Sequence, residues 1–239
     1  MNTERTAPHS TKYLRCALLC AVALNLTLIV ARLLLYMPLL AQRDARLFVL
    51  EPVVLLLIYA AIAFAMTAKR GEQWHVTLRT GTIIGLITGT MWVINLSLET
   101  FSPFSGIFAT APFLLGAFVL WGFAGSASAW RTGRMLPSIA AAIMAAMICV
   151  LITVTYGFLL ACIALPCLEH KLMASPDFLR SGWDELRAFA IANTFDSGFS
   201  HLLGALIVST IFGAVGSGMG LLLHRKIRRR ISSFSPADV

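Results

Sequence analysis

Ionisable side chains inside apolar stretches are where this 239-residue chain first invites a chemical reading, because a charge held away from water needs a partner or a wet cavity. Arg32 stands about five residues before the end of the first long apolar run, and Glu51, beside Pro52, lies similarly deep at the start of the second. At 1.5 Å per helical residue both sit about 5–10 Å from one boundary. An antiparallel hairpin then brings them level and predicts an Arg32–Glu51 ion pair. Glu99 closes the third run on that side, with Asn95, Trp92 and Thr88 below it on approximately one face, and Asp196 and His201 open the sixth. Arg32, Glu51, Asn95, Glu99, Asp196 and His201 are therefore a candidate polar cluster within one half of a bundle. They have two uses: the Arg32–Glu51 pair neutralises itself and locks the hairpin, or the group lines a polar vestibule for a solute, an ion or a lipid headgroup.

Other chemistries find less support. His9, His75, His170, His201 and His224 are scattered, and none forms a helical i, i+4 pair with a suitable ligand, so no metal is expected. Cys162 and Cys167 flank a turn and are a candidate disulfide in an oxidising compartment, with packed free thiols as the alternative. Cys16, Cys20 and Cys149 lie inside apolar runs and read as small core residues. The Gly125-Ser126-Ala127-Ser128-Ala129 stretch has no base at its depth, because His201 falls at the opposite end of its helix. Gly216, Gly218 and Gly220 follow no strand and make no dinucleotide fingerprint. Neither a catalytic residue nor a cofactor site is expected.

The elements that must position these residues are helices in lipid. Charged residues are 13% of the chain against 58% hydrophobic, about half the charge of a water-facing surface, and the mean hydropathy is +0.82. Six runs approach or exceed the ~20 residues that cross a ~30 Å hydrocarbon core, at roughly 14–40, 48–68, 81–98, 112–130, 136–165 and 201–223. They are apolar all round, which excludes barrel strands of alternating polarity. Pro38 and Pro166 mark ends of the two longest. Ala21-Val22-Ala23 resembles a signal-peptide cleavage site, but the apolar run continues beyond it and the segment reads as retained. The expected fold is an all-α polytopic bundle of about six transmembrane helices forming one domain over 1–239. It comprises a short tail 1–13, the bundle 14–223 and a basic tail 224–239.

Basic residues orient it. Thirteen fall on one side: Arg5, Lys12, Arg15, Lys69, Arg70, Arg79, Arg131, Arg134, Arg225, Lys226, Arg228, Arg229 and Arg230. Five fall on the other: Arg43, Arg46, Lys171, Arg180 and Arg187. This asymmetry places both termini in the cytoplasm, in a plasma membrane or a bacterial inner membrane. The net charge of +8 thus reflects orientation, with no nucleic-acid partner expected. Arg225, Lys226, Arg228, Arg229 and Arg230 form a stop signal that also suits anionic lipid headgroups.

The outer loop 166–200 is expected to hold one amphipathic helix. Ser175-Pro176-Asp177 makes a helix start, and Leu179, Trp183, Leu186 and Phe189 recur at helical spacing opposite Arg180, Asp184 and Arg187. The uncharged loop 100–111, with Phe101, Pro103, Phe104, Gly106 and Phe108, is expected to anchor in the interface or turn back into the membrane. Gly81, Gly85 and Gly89 recur every four residues, as do Gly216 and Gly220, with Gly213 in a second small-residue row; such rows let helix backbones approach closely. The leading functional expectation is a non-enzymatic accessory, assembly or sensor-type membrane component that packs against itself, a second copy or another membrane protein. The alternative is a small-solute or ion transporter, or a transporter subunit, with an outward-facing vestibule.

Overall fold

Long apolar sequences punctuated by Pro, Gly and charge form helices when nothing else satisfies their backbone groups, and helices are what this chain forms. The structure, a computed structural model, describes residues 7–41, 45–69, 71–102, 107–173 and 175–233. Among them there is no strand. The helices are α1 (Ala7–Leu35), α2 (Ala45–Ala68), α3 (Glu72–Phe101), α4 (Ile107–Thr132), α5 (Met135–Ile163), α6 (Leu165–Leu172), α7 (Pro176–Ser181) and α8 (Leu186–Ser233). Six of them, α1 to α5 and α8, are long and apolar enough to cross a membrane. A 3-10 turn, Met37–Ala41, follows α1 around Pro38.

Two extents differ from the sequence expectation. Helix α3 starts at Glu72, nine residues before the apolar run, because His75 and Arg79 sit on the first turns of a helix that needs only its middle in lipid. Helix α8 starts at Leu186 and runs 48 residues, so the polar stretch 193–200 is helical and continuous with the sixth span. The amphipathic helix expected from 175 onward is accordingly cut in two. Ser175 does cap α7, its hydroxyl accepting from Asp177 N at 3.2 Å. The helix then stops after six residues: Ser181 Oγ donates to Phe178 O and accepts from Trp183 N, and Gly182 takes φ +70, a left-handed cap that glycine adopts without strain. Residues 103–106 of the loop 100–111 lie outside the described residues, and Ile107 already opens α4.

Helix α5 is the axis of the bundle. Of its most apolar window, 72% is buried, against 28–39% in the other five. Its alanine-rich face at Ala140–Ala142 and Ala145–Ala146 is sequestered because the glycines of α3 lie against it. A Cβ on Gly81 would meet Ala141 O at 2.6 Å, one on Gly85 Ala145 O at 2.7 Å, and one on Gly89 Ile152 Cδ1 at 2.8 Å. That register makes α3 and α5 parallel neighbours. Helices α4 and α8 cross in the same parallel sense, Gly216 against the Gly122 carbonyl and Gly220 against the Ser126 carbonyl, while Gly213 faces Ala142 of α5. The glycine rows are thus occupied by contacts within the chain.

The bundle has two distinct ends. At the tail end, where α1 begins and α8 finishes, Arg15 Nε donates to Thr67 Oγ1 at 2.9 Å and His224 Nδ1 lies 2.7 Å from Trp130 O. At the capped end lie α6, α7 and the start of α8. There Arg187 Nε donates to Glu169 Oε1 at 2.7 Å and the Tyr36 hydroxyl donates to Glu185. Removal from water, and then the Glu185 carboxylate, push the Tyr36 hydroxyl up to about 12.

Candidate functional site

The six polar residues singled out in the sequence do not form one cluster. Arg32 is 8% exposed, and its Nε has no hydrogen-bond partner. The expected Arg32–Glu51 ion pair is not formed; among the described residues the ion pair is Arg187–Glu169. The reason is azimuth. Leu18, Val22, Asn25, Ile29 and Arg32 recur at alternating steps of four and three and make the buried stripe of α1. Asn25 on that stripe reaches α5, donating from Nδ2 to Thr155 Oγ1 at 2.7 Å. Glu51 is on the flank of the α2 stripe formed by Pro52, Leu55, Leu56 and Tyr59, so equal depth does not bring it to Arg32.

Asp196 lines a separate hollow of ≈430 Å³ at the capped end, with Asp177, Phe48, Trp183 and Phe189. Asn95 is 2% exposed, its side-chain nitrogen unpartnered, and it lies one turn below Glu99. Glu99 and His201 both line a cavity of ≈270 Å³ between α3, α5, α6 and α8.

Four helices build that cavity. Helix α3 supplies Glu99 and Thr100 from its last turn. Lys171 comes from the last turn of α6. Helix α8 supplies Asn193, Ser197 and His201 at steps of four, a row that falls on one helix face. Gly157 of α5 faces α3, where a Cβ would meet Leu96 at 3.8 Å, and Gly198 brings α8 close to α5, where a Cβ would touch the Phe158 ring at 3.0 Å. The His201 Nδ1 lies 2.7 Å from Ser197 O, and because a carbonyl only accepts, Nδ1 carries the hydrogen and Nε2 is free for another group. The ring stands edge-on to Trp92 at 5.7 Å. One acid, one ammonium and one imidazole on a common wall suit a ligand bearing both signs of charge.

Below His201 lies a second cavity of ≈200 Å³, lined by Trp92, Leu114, Phe118, Trp121, Val150 and Ala205 among others. Thr153 and His201 line both cavities, which are therefore adjacent. On the tail side of the second cavity Phe118 packs on Phe212 at 5.3 Å, just above the glycine crossing of α4 and α8.

Sequence reasoning found Glu99 and His201 by their charge at helix ends. It missed Asn193, Ser197 and Lys171 as wall residues, although the spacing Asn193–Ser197–His201 was a readable signal. Cys162 and Cys167 are free thiols, the first half-buried and the second exposed. Among the described residues no three His, Cys, Asp or Glu side chains converge as a metal site would require. Of the basic tail, Arg225 and Lys226 are exposed at the end of α8, while the side chains of Arg228, Arg229 and Arg230 lie outside those described, as do Arg5, Arg43 and Arg70 altogether. Compared with known proteins, the chain matches no family model, no curated protein sequence and no solved structure.

Proposed function

We propose that this is a multi-pass membrane protein of accessory or sensor type, in a plasma or bacterial inner membrane, whose vestibule takes a small ligand from the outer side. The observation that carries the reading is the ≈270 Å³ cavity walled by Glu99, Lys171 and His201 at the capped end. Membrane embedding is supported by the large apolar side chains that face away from the bundle on every span, among them Leu24, Leu57, Ile87, Val119 and Ile211, a surface that lipid covers and water does not. The cytoplasmic assignment of the tail end rests on the basic residues gathered there, including Arg15, Lys69, Arg131, Arg134 and Arg225. The exposed Arg225 and Lys226 suit anionic headgroups on that side. With the close α4–α8 crossing on the tail side of the cavities, binding fits the geometry better than passage. A second reading, transport of a small solute or ion, is favoured by the titratable lining of the same cavity, as part of a system that opens that crossing.

The test is vectorial labelling. In intact cells, Glu99→Cys and Lys171→Cys, in a background with the native cysteines replaced, should react with a membrane-impermeant maleimide added outside. Labelling only after the inner face is exposed would overturn the outward vestibule. Uptake of solute into vesicles that is lost in Glu99→Gln would favour the transport reading over the accessory one.

A further inference from the structure

The two cavities have opposite chemistry and are adjacent, with Thr153 and His201 lining both. The upper one carries the charged groups Glu99 and Lys171 together with His201. The lower one is apolar, yet Trp121 on its wall is 5% exposed and its Nε1 has no hydrogen-bond partner. A buried indole N–H without an acceptor costs on the order of 1–3 kcal/mol, so the site favours a ligand that brings one. Gly204 also lines the lower cavity, and a Cβ there meets nothing within 4 Å, so the backbone of α8 leaves open space at that point. Leu114 of α4 and Ser200 of α8, which also line it, are exposed, so the cavity reaches the bundle surface between those two helices.

From this the geometry points to one membrane amphiphile as the ligand: a lipid with a zwitterionic head in the upper cavity, an ester carbonyl accepting from Trp121, and an acyl chain in the lower cavity. The inference rests on the vestibule reading and names its ligand class. The anion of the head faces Lys171 and the free His201 nitrogen, and its ammonium faces Glu99. A volume of ≈200 Å³ holds about seven groups of water or methylene size, at about 30 Å³ each. The remainder of a longer chain leaves between α4 and α8 into the bilayer. Lipid therefore enters from the side, through an apolar opening, without its chain crossing water.

Native mass spectrometry of the full chain in a non-ionic maltoside detergent tests this with three probes: monoacyl phosphatidylethanolamine, monoacyl phosphatidylglycerol and the chainless head glycerophosphoethanolamine. The expected result is one bound monoacyl phosphatidylethanolamine, held at least about tenfold more tightly than the chainless head and than the anionic lipid. Gly204→Trp, which fills the lower cavity from an open position, should remove the preference for the acylated probe while leaving the chainless head bound as before. Trp121→Phe keeps the ring and deletes the donor; it should weaken the acylated probe about three- to tenfold, the range of one hydrogen bond, and serves if Gly204→Trp does not fold. Equal affinity for acylated and chainless probes overturns the lipid inference and leaves the vestibule standing, with a soluble zwitterion as its ligand. Equal affinity for the zwitterionic and anionic lipids overturns the assignment of the head. Failure of all three probes to bind overturns the inference, while the labelling experiment above decides the vestibule separately.

Discussion

Replacing two glycines two residues apart on one helix should change stability in opposite directions. Gly216 and Gly218 both lie inside α8, where alanine is intrinsically preferred to glycine by about 0.8–1 kcal/mol. At Gly218 a Cβ meets nothing within 4 Å, so Gly218→Ala realises that preference and stabilises by about 0.5–1 kcal/mol. At Gly216 a Cβ would overlap the carbonyl of Gly122, and its next neighbour, Gly122 Cα, is 3.1 Å away. Both are backbone atoms, so no rotamer change relieves the overlap and α4 must move away from α8. Overpacking of that kind costs about 1–3 kcal/mol, and the parting helices lose contacts as well. After the propensity gain, Gly216→Ala should destabilise by about 1–2 kcal/mol, leaving roughly 2–3 kcal/mol between the two variants. Equilibrium unfolding in mixed micelles, followed by far-ultraviolet circular dichroism, measures the difference. Equal shifts, or a stabilised Gly216→Ala, would refute the close α4–α8 crossing on the tail side of the lower cavity.

Three further outcomes are expected. Thr155→Val removes the acceptor of the 2.7 Å bond from Asn25 and should cost about 0.6–1.7 kcal/mol; in an Asn25→Leu background it should cost much less, which a double-mutant unfolding cycle reads. The Tyr36 hydroxyl, raised from 10 to about 12, binds its proton more tightly folded than unfolded. Its contribution to stability is therefore complete below pH 10 and lost as pH rises through 12. Phenolate absorbance should show one late-titrating tyrosine that Glu185→Gln brings only part of the way back, since removal from water is the larger cause. Cys162 and Cys167 should both alkylate without prior reduction, Cys167 faster, as judged by mass spectrometry; protection of both until reductant is added would show a disulfide.

The spans were legible because a run of some twenty apolar residues has few ways to satisfy its backbone in lipid. Their ends were less so. His75 and Arg79 mark the edge of an apolar run but not of a helix, and Asn193, Thr194 and Ser197 read as loop when they are helical and line the candidate site. Depth in the bundle was also legible: Glu99 and His201, read as level in the sequence, line one cavity. Direction around the helix was not used for Arg32: the alternating steps Leu18, Val22, Asn25, Ile29, Arg32 put its side chain on the packed face of α1. Which of two level residues meet depends on azimuth, and azimuth follows from the stripe and not from the distance to a helix end.

Helix α8 is a single rod without a proline, about 72 Å long at 1.5 Å per residue. Its crossing with α4 at Gly216 lies about 35 Å from Asn193 and about 26 Å from Ser233. Tilt of such a rod about its tightest crossing moves its two ends in opposite directions. A rotation of about 5° about that crossing carries the Asn193 wall by about 3 Å and the far end of α8 by about 2 Å the other way. The wall at Asn193, Ser197 and His201 and the basic end of α8 thus belong to one uninterrupted helix, with no loop in between to absorb a tilt.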